Sequence, residues 1–275
     1  MNKFAMTFML ATCLHFNNGF CGDVKIPSGL QQGDLVLAIT TPGSRVTVNG
    51  RELQIDQDGY FAFGLERDHP QKVVIETQFV DGTTSTQTYP VLKRNYGEQH
   101  IQGLPKQMVT PDPELAERIK EEANLVREAR LHNTRGNFFR SGLIWPVVGT
   151  VTGVFGTRRI LNGEIRAPHY GIDIAAKEGT AVLAAADGIV RLSVDLYLSG
   201  NTAILDHGHG ITSSYLHMKE ILVSPNDFVR QGEAIGYVGN TGRSTGAHLD
   251  WRINWFEIRV DPQRALFFFT QNKKN

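Results

Sequence analysis

The ten residues TGRSTGAHLD at positions 241–250 decide the fold of the second half of the chain. The Gly- and Ser-rich first part is typical of a loop, and residues 248–253 are a candidate strand. Side chains two residues apart on a strand point to the same face, so His248 and Asp250 can face one point in space. An imidazole and a carboxylate that converge in this way are ligand types of a zinc site.

More residues of these types lie upstream in the same half of the chain. His169 and Asp173 form an H-x-x-x-D pair, and His217 ends a candidate strand of residues 211–217. A catalytic zinc site uses three imidazole or carboxylate ligands and keeps a fourth position for water. The spacing therefore makes these residues candidates for such a site.

Three sequence motifs together point to a known family. The strings HYGID at 169–173, YLHM at 215–218 and TGRSTGAHLD at 241–250 resemble the signature segments of the lysostaphin-type (LytM) zinc metallopeptidases. Each motif alone is weak, but three in this order are specific. The resemblance covers roughly residues 145–265 and implies a LytM-type catalytic domain built of β-sheet.

The resemblance also implies a role for each motif residue. His169 and Asp173 would bind Zn²⁺, and His217 and His248 would form the catalytic pair. The last ligand position holds Asp250, where the family usually has His. A carboxylate binds Zn²⁺ at about 2.0 to 2.2 Å, so Asp250 can replace imidazole, although a second carboxylate leaves the metal less positive.

Two other classes of function stay open beside a peptidase. The first is a metal-free LytM-like scaffold that activates another cell-wall hydrolase, and the second is an adhesin or assembly module. Degenerate LytM-like activators typically lose several motif residues, whereas only residue 250 departs from the pattern here. We therefore expect an active zinc metallopeptidase.

The N-terminus has the layout of a signal peptide. Lys3 precedes a mostly apolar run over residues 4–16, and small and polar residues follow, so we predict a signal peptide over residues 1–22. The run is too short to span a bilayer, which needs about 20 residues. Both cysteines, Cys13 and Cys21, lie in this segment, so the mature chain would hold no thiol. A periplasmic or secreted location is expected.

Residues 23–108 show short apolar or β-branched runs separated by turn signals. Asn49-Gly50 is the pair typical of a type I′ hairpin turn. This spacing predicts an immunoglobulin-like β-sandwich. The candidate strands are residues 35–40, 45–48, 72–79 and 84–91.

Residues 109–140 are predicted to contain a linker helix. Pro113 follows Asp112 at a helix-start position, and apolar residues recur at helical spacing over 111–131. From residue 141 to 275 the β pattern returns and forms the LytM-type domain. The whole chain is therefore predicted to be all-β apart from this helix.

Composition and the remaining histidines exclude some alternatives. The chain has 28 basic and 28 acidic residues, so no broad positive field favours nucleic acid. His207 and His209 flank a glycine between two candidate strands and predict a hairpin turn near the rim of the cleft. Three further histidines have no matching partners and are predicted to lie on the surface: His69, His100 and His132.

The chemistry implied by the resemblance is amide hydrolysis. The family acts on the peptide cross-links of bacterial peptidoglycan, so the expected function is that of a secreted zinc metalloendopeptidase of the cell wall. The N-terminal domain would cover or position the cleft, or bind a cell-wall protein partner.

Overall fold

The computed structural model describes residues 24–271. The predicted signal peptide and both cysteines lie outside these residues. Within them, no helix is long and apolar enough to cross a membrane.

Strands far outnumber helices among the described residues, as the sequence predicts, but two short helices besides the linker helix, Lys106–Val109 and Pro262–Gln271, were not predicted. The strands are β1 (Leu35–Ile39), β2 (Arg45–Val48), β3 (Arg51–Leu53), β4 (Tyr60–Gly64), β5 (Lys72–Gln78), β6 (Thr84–Pro90), β7 (Glu98–Ile101), β8 (Thr150–Gly153), β9 (Arg158–Leu161), β10 (Glu164–Arg166), β11 (Ile172–Ala175), β12 (Ala181–Leu183), β13 (Gly188–Leu196), β14 (Gly200–Asp206), β15 (Ile211–Ile221), β16 (Phe228–Val229), β17 (Ala234–Val238), β18 (His248–Trp255) and β19 (Ile258–Val260). The helices are α1 (Lys106–Val109), α2 (Pro113–Arg130) and α3 (Pro262–Gln271), with a 3-10 turn at Phe138–Ser141.

The first six strands form two antiparallel sheets. One pairs β1 with β4, and the other has the order β3-β2-β5-β6. Asn49 and Gly50 have φ values of 49° and 81°, so the predicted type I′ turn between β2 and β3 is confirmed. Six strands are one fewer than the seven of the smallest immunoglobulin domains, and the immunoglobulin-like topology remains a prediction.

Strand β7 leaves these two sheets. It pairs in parallel with β9, and together with β10 the three strands form a separate sheet. This strand was not predicted, because its residues, EQHI, have no alternating apolar pattern. Residues 98–101 therefore lie beside the C-terminal half, across the domain boundary predicted at residue 108.

Helix α2 confirms the predicted linker helix. The side chain of Asp112 accepts a hydrogen bond from the backbone N–H of Leu115, and Pro113 occupies the first turn, where its missing N–H costs nothing. Arg127 and Arg130 lie in the last turn, where cations interact favourably with the helix dipole.

The C-terminal half is built on one antiparallel ten-stranded sheet. Its main path runs β16-β13-β14-β15-β18-β11-β8, and β12, β17 and β19 pair beside it. Tyr215 and Trp251 lie directly opposite each other on β15 and β18 and are fully buried. They belong to one continuous hydrophobic cluster that also contains Phe61 and Phe63 of β4. This core fixes one face of the sheet and leaves the other to polar side chains.

The structure corrects two predictions about the remaining histidines. The turn between β14 and β15 does contain His207 and His209, but it lies at the end of β15 where Ile211 pairs with Trp255. The candidate ligands lie several residues further along the sheet, so this turn is not at the cleft rim. His69 is buried rather than exposed. Its Nδ1 lies 2.8 Å from the Pro70 carbonyl oxygen.

The other two histidines agree with the prediction. His100 and His132 are both exposed.

Candidate metal centre and catalytic pair

Strand register brings the distant motif residues together. Asp173 on β11 lies opposite Asp250 on β18, and Asp250 lies opposite Leu216 on β15. Residues that pair directly across antiparallel strands share a face of the sheet. Asp173 and Asp250 therefore meet on one face. Regular alternation would turn His217, directly after Leu216, to the other face, but its φ of 64° breaks the alternation.

His169, Asp173 and Asp250 form a compact buried group. One ligand atom from each lies within 4.8 Å of the others, and the residues are 2%, 9% and 1% exposed. His169 Nε2 is 3.1 Å from Asp173 Oδ1. Within the described residues, neither this oxygen nor either ring nitrogen of His169 makes a hydrogen bond.

This donor set fits a divalent metal ion such as zinc. Buried polar atoms without partners are rare and costly, and these converge on one point. One imidazole and two carboxylates also match the ligand types of zinc sites that keep an open position.

The two remaining motif histidines lie at the edge of this group. The ring centroids of His217 and His248 are 4.9 Å apart, and His248 Nε2 is 3.7 Å from Asp173 Oδ1. The Nδ1 atom of His217 is 2.8 Å from the Thr241 carbonyl oxygen, and that of His248 is 2.8 Å from the carbonyl oxygen of Gly246. A carbonyl only accepts, so each Nδ1 carries a proton, and in the neutral form of such a ring Nε2 is the acceptor.

His217 is held by unusual local geometry. Its φ is 64°, and the pairing of β14 with β15 shifts register there. Burial lowers its pKa to about 4, although Asp250 opposes the shift. The ring is therefore neutral near pH 7.

Two arginines hold the carboxylates, and sequence reasoning missed both. Arg252 Nε donates to Asp250 Oδ1 at 3.0 Å and its Nη2 donates to Oδ2 at 2.6 Å, while Arg159 donates to Asp173 Oδ2. Burial alone would raise the pKa of Asp250, but Arg252 and His169 outweigh it and hold the pKa below its ordinary value. Asp173 likewise has a lowered pKa, since His169 and Arg159 outweigh its burial and the nearby Asp250.

The sequence carried a signal for one of these arginines. Arg252 continues the alternation of His248 and Asp250 along β18, so the same period of two places it on their face. Arg159 lies on β9 and has no spacing relation to the motifs.

The chain segment before α2 borders the site. A cleft of about 270 Å³ is lined by His217 and His248, by Asp173 and the loop of residues 243–247, and also by Gln99, Ile101 and Leu104. Asn162 binds Leu104 through two hydrogen bonds, of 2.7 and 3.2 Å. Arg243 Nη1 donates to the Met108 carbonyl oxygen at 2.9 Å.

The buried His-Asp-Asp group and the two imidazoles beside it lie together on one antiparallel sheet. Residues 167–262 match the profile of peptidase family M23. The chain therefore carries an M23 domain in its C-terminal half.

Curated relatives match stretches of similar length. The peptidoglycan DD-endopeptidase ShyA of Vibrio cholerae is 40% identical over 100 residues, which is 36% of this chain and 23% of that protein. The DD-carboxypeptidase/endopeptidase Mpg of Neisseria meningitidis is 43% identical over 95 residues, 34% of this chain and 21% of that protein. The matched stretch thus spans about a quarter of these relatives.

A solved structure extends the likeness in fold. A peptidase M23 structure from Pseudomonas aeruginosa has a TM-score of 0.68 and 24% identity, and the match covers 87% of this chain and 96% of that one. The fold is therefore shared well beyond the matched M23 region.

Proposed function

We propose that this chain is a periplasmic or secreted zinc metalloendopeptidase that hydrolyses peptide cross-links of bacterial peptidoglycan. The observation that carries the proposal is the buried group of His169, Asp173 and Asp250, in which the His169 ring and Asp173 Oδ1 make no hydrogen bond and lie beside the imidazoles of His217 and His248. The substrate class is supported by the names of the relatives, which include a peptidoglycan DD-endopeptidase.

His169, Asp173 and Asp250 would hold the metal. When bound, zinc polarises the scissile carbonyl and lowers the pKa of the attacking water. Arg252 and Arg159 keep the two carboxylates ionised and oriented, so both are ready as ligands.

His217 and His248 would carry out the proton transfers. Their Nδ1 protons are committed to backbone carbonyls, so each ring can take a proton at Nε2. A ring protonated there becomes a donor that stabilises the oxyanion and then protonates the leaving amine. Either imidazole can fill either role, since both offer Nε2 on the side of the ligand group, although only His248 Nε2 lies 3.7 Å from Asp173 Oδ1.

One observation favours the second candidate, a metal-free scaffold that activates another cell-wall hydrolase. Arg252 and Arg159 already neutralise the two carboxylates, which weakens the attraction of the site for a cation. In that case the N-terminal sheets would be the part that contacts a cell-wall protein partner.

Metal analysis of the purified protein, together with digestion of purified peptidoglycan with and without a chelator, tests both candidates. About one zinc per chain and digestion that the chelator abolishes would support the peptidase. Absence of metal and of digestion, even after zinc is added, would favour the scaffold.

A further inference from the structure

A second cavity lies on the same face of the sheet as the candidate site. Its volume is about 480 Å³, and it is enclosed by α2 and by side chains of β14, β15 and β18. Ser214 pairs with both Ile204 and Arg252, and this row lies next to the row of Leu216 and Asp250. The cavity therefore adjoins the candidate metal centre, with Arg252 contributing to both.

The cavity concentrates positive charge that has no counterion. Arg130 is 7% exposed and its Nη2 donates to Ser214 Oγ at 3.3 Å, while its Nε has no partner. Arg259 is half-buried against the Tyr170 ring, with its guanidinium carbon 4.7 Å from the ring centroid. Within residues 24–271, neither arginine has a carboxylate at ion-pair distance.

The acidic residues at the cavity do not supply this counterion. Glu122 already accepts hydrogen bonds from Arg118 at 2.7 Å and from the backbone N–H of Tyr197 at 2.8 Å. Glu257 is exposed. Burial, followed by the charges of Arg259 and Arg252, lowers the pKa of Arg130 to about 9, so the group stays charged at neutral pH.

A buried guanidinium without a counterion is costly, and a bound anion would remove that cost. Among anions, a carboxylate matches the planar forks of donors that Arg130 and Arg259 present, whereas the Nε and Nη2 atoms of Arg252 already donate to Asp250. Arg127 and Ala123 at the cavity wall are exposed, so a ligand can enter from solvent.

We infer that Arg130 and Arg259 bind a carboxylate group of the peptide that is cleaved at His217 and His248, with the charge of Arg252 beside them. The inference rests on the proposed function and deepens it, because it selects peptides with a free carboxylate near the scissile bond. Two contacts tie the cavity to the chemistry: Leu216 lines it directly before His217, and Arg252 joins it to Asp250.

Steady-state hydrolysis of two cross-linked peptides tests the inference. One peptide carries free carboxylates, and in the other they are converted to carboxamides. For the zinc-loaded full chain we expect amidation to lower kcat/KM about tenfold or more, chiefly through KM, since a charge-assisted hydrogen bond is lost. Arg259→Gln should hydrolyse the two peptides at more nearly equal rates while keeping its zinc.

Arg130→Met removes the buried charge, and Arg130→Lys keeps it and should rescue part of the preference. Arg230→Gln removes a charge from an exposed turn away from the cavity and should retain the wild-type preference. If Arg130→Met does not fold, Arg259→Gln, at a half-buried residue, still tests whether the cavity selects the carboxylate peptide.

The failures of the two proposals differ. Equal hydrolysis of both peptides by the wild type would overturn the carboxylate site and leave the peptidase intact. Hydrolysis of neither peptide would overturn the proposed function. Calorimetric titration with an N-acetylated dipeptide and its amide would then test the carboxylate site independently of catalysis. Equal heats for the two ligands would overturn it, whereas binding of the carboxylate form only, lost in Arg259→Gln, would support it.

Discussion

Arg252 donates to both carboxylate oxygens of Asp250, two residues earlier on the same face of β18. The pair gives a physical account of an aspartate at a position where the LytM signature has histidine. The guanidinium removes the extra negative charge and fixes the carboxylate in one orientation. Residues 250 and 252 therefore act as a unit, and changing one without the other leaves a buried group unpaired.

The first prediction concerns the metal. Because His169 offers a buried, unpartnered ring to the ligand group, His169→Ala should lose most of the zinc, whereas the wild type should hold about one per chain. Elemental analysis after dialysis measures this. Added zinc should raise the unfolding temperature of the wild type and not that of His169→Ala. His100→Ala, at an exposed histidine, is the control. Equal zinc content in all three proteins would contradict the proposed metal site.

A second prediction separates catalysis from metal binding. His217 lies beside the ligand group with its Nδ1 bound to the Thr241 carbonyl, so His217→Ala should keep zinc but lose peptidoglycan digestion by about 10² to 10⁴-fold. His248→Ala should behave in the same way. Turbidity loss and released peptides give the activity. Loss of zinc together with activity in either variant would show that the substituted histidine is a metal ligand.

The third prediction tests the unit of Asp250 and Arg252. Asp250→His alone leaves the guanidinium of Arg252 without its partner and should destabilise the metal-free protein by about 3 kcal/mol. The double variant Asp250→His/Arg252→Met should recover much of this loss and bind zinc at least as tightly as the wild type. Urea unfolding and zinc titration measure the two effects.

A control for that prediction is Arg118→Met, which breaks an exposed ion pair with Glu122 on α2 and should change stability little. If the single and double variants were equally stable, the two residues would not be coupled.

The sequence predicted those parts of the site that depend on local periodicity. His248 and Asp250 share a face because a strand repeats every two residues, and the same rule extends to Arg252. Arg159 could not be predicted, since its contact with Asp173 depends on the pairing of distant strands. The buried position of Arg130 could not be predicted either, because a basic residue in the last turn of a helix usually faces solvent.

The last prediction concerns Gly171 in the HYGID motif. A Cβ atom there would lie 2.6 Å from Arg252 Cγ and 2.7 Å from Asp250 Oδ1, closer than real side chains approach. Gly171→Ala should therefore displace the pair, weaken zinc binding at least tenfold and lower the unfolding temperature. Gly246→Ala is the matched control, since its Cβ would have no atom within 4 Å although Gly246 lies in the cleft loop. Zinc titration of both variants provides the comparison, and equal affinities would mean that the close approach of Gly171 does not position Asp250.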